Sequence, residues 1–244
     1  MLEVKNLCRN YGSFEAVKDL SFSAGPVEVL GFLGPNGAGK TTVMKAITGC
    51  HYPSSGDVFI NGFSIKEEPE EAKNFIGYLS EKNPLYTDHT PYEYLDFTAS
   101  ARLLSGQEKQ KAIERVLSLC NLEEHCRRPI EHLSRGLRQR LGFAQAIIHD
   151  PPLLIFDEPG SGLDPNQIMD FRKLIRELGK TKTIVLSTHI LNEVEALCSR
   201  ILILNKGRML IEGTKKEILE SLGMNSEEHS LEDIFARLTK EGDE

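Results

Sequence analysis

Apolar and polar residues alternate through Leu2, Val4 and Leu7, and again through Ala16-Val17-Lys18-Asp19-Leu20-Ser21-Phe22. A period of two turns one face of a strand to the core and the other to water. Two antiparallel strands joined at Tyr11-Gly12-Ser13 are therefore predicted. Val29, Leu30, Phe32 and Leu33 form an apolar run, the pattern of a buried strand. Val43, Ala46 and Ile47 then recur at helical spacing, with Gly49 as the stop. Pro53 to Asp57 reads as a turn, and Val58-Phe59-Ile60 with Asn61-Gly62 as a hairpin signal. Lys66 to Lys73 opens a solvated helix, and Ile76 to Leu79 is a short strand entering the polar loop Ser80 to Pro84.

From about residue 87 to 147 the rhythm is helical throughout. Tyr92, Tyr94, Leu95, Leu103, Leu104, Ile113, Val116, Leu117 and Leu119 recur at helical spacing, and strand signals vanish. This predicts a helical insertion in an α/β chain. Strand patterns return at Leu153 to Phe156 and at Thr183 to Ser187, with a turn from Gly160 to Pro165 and a helix from about Asn166 to Leu178 between them. A helix burying Ile190, Val194 and Leu197 follows, then a hairpin of Ile201 to Leu204 and Met209 to Ile211. The last 24 residues hold seven acids, Glu227, Glu228, Glu232, Asp233, Glu241, Asp243 and Glu244, against Arg237 and Lys240. They read as an amphipathic helix around Leu231, Ile234, Phe235 and Leu238 with a solvated end. The expected division is 1–86, 87–147, 148–217 and an acidic helical tail at 218–244.

The chemistry lies at the ends of these strands. Gly34-Pro35-Asn36-Gly37-Ala38-Gly39-Lys40-Thr41 fits G-x-x-x-x-G-K-[ST] between a strand and a helix. Glycines let successive N–H groups turn inward around phosphate, and the helix N-terminus adds partial positive charge. In that geometry Lys40 reaches the β- and γ-phosphates and the Thr41 hydroxyl ligates Mg²⁺. Asp157 and Glu158 close an apolar strand at the edge where open α/β sheets bind ligands. Asp157 is placed to support Mg²⁺, and Glu158 to orient or deprotonate the attacking water. His189, ending the next strand, fits an ordinary structural histidine or, at the same sheet edge, one that senses the γ-phosphate through one hydrogen bond. Ser134 is a good N-cap for a helix carrying Leu137, Leu141 and Ala144, and such an N-terminus can also hold an anion.

Composition narrows the class. With 244 residues and a net charge of −7 the chain offers no basic field for nucleic acid. Its apolar runs are too short to span a bilayer, and its N-terminus does not resemble a signal peptide. Five cysteines (Cys8, Cys50, Cys120, Cys126, Cys198) lack metal-ligand spacing and read as reduced, mostly buried thiols in the cytoplasm. Neither they nor His125 and His132 form a defensible metal site.

Taken together, about Leu2 to Gly213 resembles the ATP-binding subunit of an ABC transporter. GPNGAGKTT is similar to Walker A, LLIFDEP to Walker B, Ser161 to Asp164 to the D-loop, and Thr188-His189 to the switch histidine. Tyr11 falls where the family stacks an aromatic on the base. Leu133-Ser134-Arg135-Gly136-Leu137 takes the place of the usual LSGGQ signature, and Glu81 that of a usual glutamine. The variants look most like ATPases of bacterial exporters for drugs, antibiotics, ions or gliding-motility components.

The resemblance implies a P-loop (RecA-like), mainly parallel sheet core with an antiparallel β-subdomain and an inserted helical subdomain. It implies an ATPase that hydrolyses ATP with Mg²⁺. ATP is bound by Tyr11, Gly34 to Thr42, and, across a head-to-tail dimer, Ser134, Gly136 and Asp164. Thr41, Asp157 and Glu81 approach the metal, and Glu158 and His189 act on the γ-phosphate. The implied partners are a membrane permease and a second ATPase subunit, which places the chain on the inner membrane face. A soluble ATPase of the same class acting on nucleic acid or ribosomes fits less well, given one copy of each motif and no long heptad run. A P-loop kinase or switch GTPase is disfavoured by the Asp-Glu pair and the absence of an Asn/Thr-Lys-x-Asp segment.

Overall fold

The N-terminal alternation builds strands β1 (Leu2–Tyr11) and β2 (Phe14–Ala24), an antiparallel hairpin with Tyr11 opposite Phe14. On the other side of β1 lies β4 (Ser55–Ile60), extended by β5 (Phe63–Ser64), giving the order β2-β1-β4-β5. The computed structural model describes residues 1–224 and 229–241.

A second sheet holds β3 (Val29–Leu33), β6 (Ile76–Leu79), β7 (Leu153–Asp157), β8 (Thr183–Thr188), β9 (Arg200–Asn205) and β10 (Arg208–Gly213). Its order is β10-β9-β3-β8-β7-β6, all parallel except the antiparallel edge strand β10. Helix α1 (Lys40–Ile47) lies between the two sheets. Its Val43, Met44 and Ile47 share one core with Leu2, Val58, Phe32 and Ile155. Strands β7 and β8 are buried at every position, so they read as continuous apolar runs rather than alternations.

After the short helix α2 (Pro69–Asn74) and β6, the chain makes α3 (Pro91–Ala101), α4 (Gly106–Leu119), two 3₁₀ turns and α5 (Arg135–Ile147). Helix α5 fastens this segment to the sheet. Leu141, Ala144 and Ile147 join Phe156 and Leu186 in one core, and the Phe143 ring sits 5.0 Å from Phe156 and 5.3 Å from Phe171. The layer is completed by α6 (Pro165–Gly179) and α7 (Leu191–Leu197).

Several expectations need correction. Leu103 is 89% exposed at φ +62° in the α3–α4 turn, outside the apolar stripe, and Tyr92 is exposed. Ile190 is the half-buried cap before α7, not part of its inner face. Among the cysteines only Cys120 is fully buried, and Cys50 is exposed. The amphipathic helix expected around Leu231, Ile234, Phe235 and Leu238 is present and docks on the core. After α8 (Lys215–Ser221), α9 (Leu231–Glu241) buries Leu231 and Ile234 completely, in a core with Leu33, Val194, Ile201 and Ile203. Glu227, Glu228, Asp243 and Glu244 lie outside the described residues. Ile234→Ala is expected to cost about 2–5 kcal/mol in urea unfolding, the ordinary loss for a buried isoleucine; a change below about 0.5 kcal/mol would mean that α9 is not held there.

Candidate active site

Parallel register brings the chemistry to one sheet edge. Leu33, the end of β3, lies opposite Thr188 of β8, and Asp157 of β7 opposite Ser187. The loop Gly34 to Gly39, the Asp157-Glu158 pair and His189 therefore leave the sheet side by side. This edge is the carboxyl end of the parallel strands, the usual ligand crevice of such sheets.

The loop turns into α1 at Gly39, whose φ of +105° suits glycine, and a Cβ there would lie 2.7 Å from the Ala16 carbonyl oxygen. Lys40 opens the helix and is only 6% exposed. Its ammonium donates to the carbonyls of Gly34 at 2.7 Å and Pro35 at 3.2 Å, and lies 3.3 Å from Glu158 Oε1. A cation thus sits at the floor of an open cleft lined by Asn36 to Thr42, Tyr11, Phe14, Ala16, Glu81, Glu158, Ser161 and His189.

Beside it lies a braced carboxylate pair. Asp157 is 1% exposed. Its Oδ1 accepts from the Ser187 hydroxyl at 2.6 Å and the Thr41 hydroxyl at 3.2 Å, while the buried Oδ2 has no partner. Burial raises its carboxyl above the usual range; the two hydroxyls oppose this, and Glu158 and Glu81 add to it. Glu158 is held at φ +48°, a left-handed conformation uncommon outside glycine, by its N–H donating to the Ser187 hydroxyl at 3.0 Å and carbonyl at 3.1 Å. His189 Nδ1 donates to Glu158 Oε2 at 2.8 Å. One Glu158 oxygen therefore faces an ammonium and the other an imidazole.

At the outer rim Tyr11 is half-exposed. The Arg9 guanidinium lies over its ring at 4.8 Å, and its hydroxyl bonds His51 Nδ1 at 2.9 Å. These contacts fix an aromatic plate whose neighbour Phe14 is 64% exposed. Phe14, Ser161 and Ser187 were not anticipated as site residues. Ser187 carried a signal, a hydroxyl directly after the apolar run Ile184-Val185-Leu186 of a buried strand.

Ser134, Gly136 and Asp164 are not brought to this cleft, and Gly34 and Pro35 stand beneath its lining, with their carbonyls on the Lys40 ammonium. Ser134 caps α5, accepting from the Leu137 N–H at 3.3 Å. Gly136 is buried where a Cβ would collide with the Gln167 amide. Asp164 caps α6, accepting from the Gln167 N–H at 2.9 Å. Arg135 ties the start of α5 to the cleft wall by donating to the Ser161 carbonyl at 2.9 Å.

A family model described as ABC transporter matches residues 17–161. The chain belongs to the ABC transporter family. The protein YhcH of Bacillus subtilis strain 168, described as an uncharacterized ABC transporter ATP-binding protein, is 41% identical over 90% of this chain and 72% of its own length. The linearmycin resistance ATP-binding protein LnrL of the same organism is 37% identical over 91% and 72%. A solved ATP-binding subunit of an ABC transporter superposes with a TM-score of 0.89 at 33% identity, covering 98% of this chain and 99% of that one. A dimeric post-hydrolysis structure of the ATP-binding cassette MJ0796 with ADP and Pi gives 0.79 at 25% identity, over 88% and 98%. This ABC ATP-binding subunit is accordingly an ATPase of the P-loop class.

Proposed function

We infer that this subunit hydrolyses ATP in a head-to-tail pair to drive export through a separate membrane permease. The observation that carries this is the incompleteness of the cleft. Ser134 and Gly136, the signature residues, stand outside it at the start of α5. A second subunit can bring the same helix start to the exposed mouth, which supplies phosphate-binding N–H groups from the far side. Export is the direction suggested by the linearmycin resistance relative.

In this reading Tyr11 stacks on the base, backed by the Arg9 charge, and the N–H groups of Asn36 to Thr42 cradle the phosphates. Lys40 moves from the carbonyls of Gly34 and Pro35 to the β- and γ-phosphates. Glu158 accepts a proton from the water as its oxygen attacks the γ-phosphorus and the bond to the bridging β-oxygen breaks. His189 orients the γ-phosphate. Asp157, with its unpartnered Oδ2, the Thr41 hydroxyl and Glu81 are hard oxygen donors around one cavity, a set that would hold Mg²⁺. The chemistry such an ion supplies is neutralisation of charge between the β- and γ-phosphates.

No helix among the described residues is long and apolar enough to cross a membrane. We assign residues 1–86 and 148–217 to the ATPase core and 87–147 to the helical segment that meets the permease, with 218–244 as a C-terminal appendage. That assignment places the chain on the inner membrane face.

Mixed dimers test the shared site. Lys40→Met and Ser134→Arg chains should each be inactive alone. When mixed, one composite site has both defects and the other has neither. ATPase activity should then return to a substantial fraction of wild type; mixtures as inactive as either parent would refute shared sites.

A further inference from the structure

Glu193, in the first turn of α7, is 1% exposed and lies directly behind the Glu158–His189 pair. Its Oε2 accepts from the Thr188 hydroxyl at 2.8 Å. That same hydroxyl accepts from the Ile190 N–H at 3.0 Å. His189 is thus clamped on both sides, by the residue before it and the residue after it, and the clamp is anchored on Glu193.

The other carboxylate oxygen faces the neighbouring strand end. Glu193 Oε1 is buried without a hydrogen-bond partner and presses on Gly160, where a Cβ would collide with it. Gly160 is two residues beyond Glu158, and the Ser161 N–H returns to the Glu158 carbonyl at 3.1 Å. One side chain therefore touches both corners from which the reacting groups project. Burial raises the Glu193 carboxyl, while the Thr188 hydroxyl and Arg172 pull it back toward the charged form. A buried carboxylate with an orphaned oxygen is costly to keep, and a leucine would serve plain packing better.

We propose that Glu193 is a positioning residue that sets the geometry of the Glu158–His189 pair by joining the corners after β7 and β8. It is buried behind the cleft and is not among the residues that line it. Its effect runs through Thr188 to His189 and through Gly160 to Glu158. The proposal rests on reading Glu158 and His189 as the reacting pair.

Steady-state ATP hydrolysis and equilibrium binding of a fluorescent ATP analogue test it on the whole chain. Glu193→Ala should lower kcat about ten- to a hundredfold, the scale of a misplacement near 1 Å, with KM and analogue affinity within about threefold. Glu193→Gln keeps an oxygen that accepts from Thr188 and should recover most of kcat. Thr188→Val removes the same bond without emptying the pocket, so it carries the test if Glu193→Ala does not fold. The double variant should be no slower than the slower single one. Unchanged kcat in Glu193→Ala or Thr188→Val, equal losses in the Ala and Gln variants, or a loss confined to KM would overturn it. Glu158→Gln is run in parallel: wild-type hydrolysis there sinks the reading of the pair, whereas an inactive Glu158→Gln beside a normal Glu193→Ala sinks only this inference.

Discussion

Glu158→Gln lowers kcat for ATP hydrolysis by about 10²–10⁴-fold and leaves ATP binding nearly unchanged: that is the largest effect expected of any single substitution here. The range is that of a general base removed from a positioned water. The amide is isosteric with the carboxyl, so the φ +48° backbone, braced by Ser187 rather than by the side chain, should persist. What changes is charge. An amide oxygen still approaches Lys40 at its 3.3 Å separation, but it cannot take the proton that the water must lose. Because ATP then stays intact, the paired subunits stay closed, and size-exclusion chromatography with ATP should shift the variant to dimer mass. Wild-type turnover in this variant would remove Glu158 from the chemistry.

Lys40→Met should weaken ATP binding by about a hundredfold. The ammonium is almost fully buried at the cleft floor, and each charge-assisted hydrogen bond it makes to phosphate is worth about 1.5–3 kcal/mol. Methionine matches its length without its charge, so the packing of α1 between the sheets is kept. Glu158 loses one partner but keeps its hydrogen bond from His189 at 2.8 Å, and the fold should survive. Isothermal titration with ATP measures the effect directly. A loss smaller than about threefold would mean that Lys40 does not contact the phosphates.

The core of this site was legible because strand, loop and helix dictate one another. Glycine spacing from Gly34 to Gly39 is interpretable only between a buried strand and a helix start, and both were visible as hydrophobic periods. Asp157 and Glu158 stood out as carboxylates ending an apolar strand. Other parts depend on which surfaces meet. Phe14 reaches the cleft because the hairpin turns at Gly12-Ser13 and sets it opposite Tyr11, a pairing that alternation alone does not orient. Glu193 reads as one polar residue of a short helix until β7 and β8 are placed side by side. The apolar face of α9 was legible as Leu231, Ile234, Phe235 and Leu238, but only tertiary contact with Leu33 and Ile203 shows what covers Leu231 and Ile234. Leu103 errs the other way, as an apolar residue at helical spacing that the turn after α3 directs into solvent.

The central claim is that hydrolysis in this chain powers a membrane partner. Tagged Glu158→Gln protein, expressed in its native cell and purified from detergent-solubilised membranes with ATP present, tests it most directly. One multi-helix membrane protein should be recovered in stoichiometric amount. Recovery of a purely soluble complex, with ribosomes or DNA in place of a membrane protein, would contradict it.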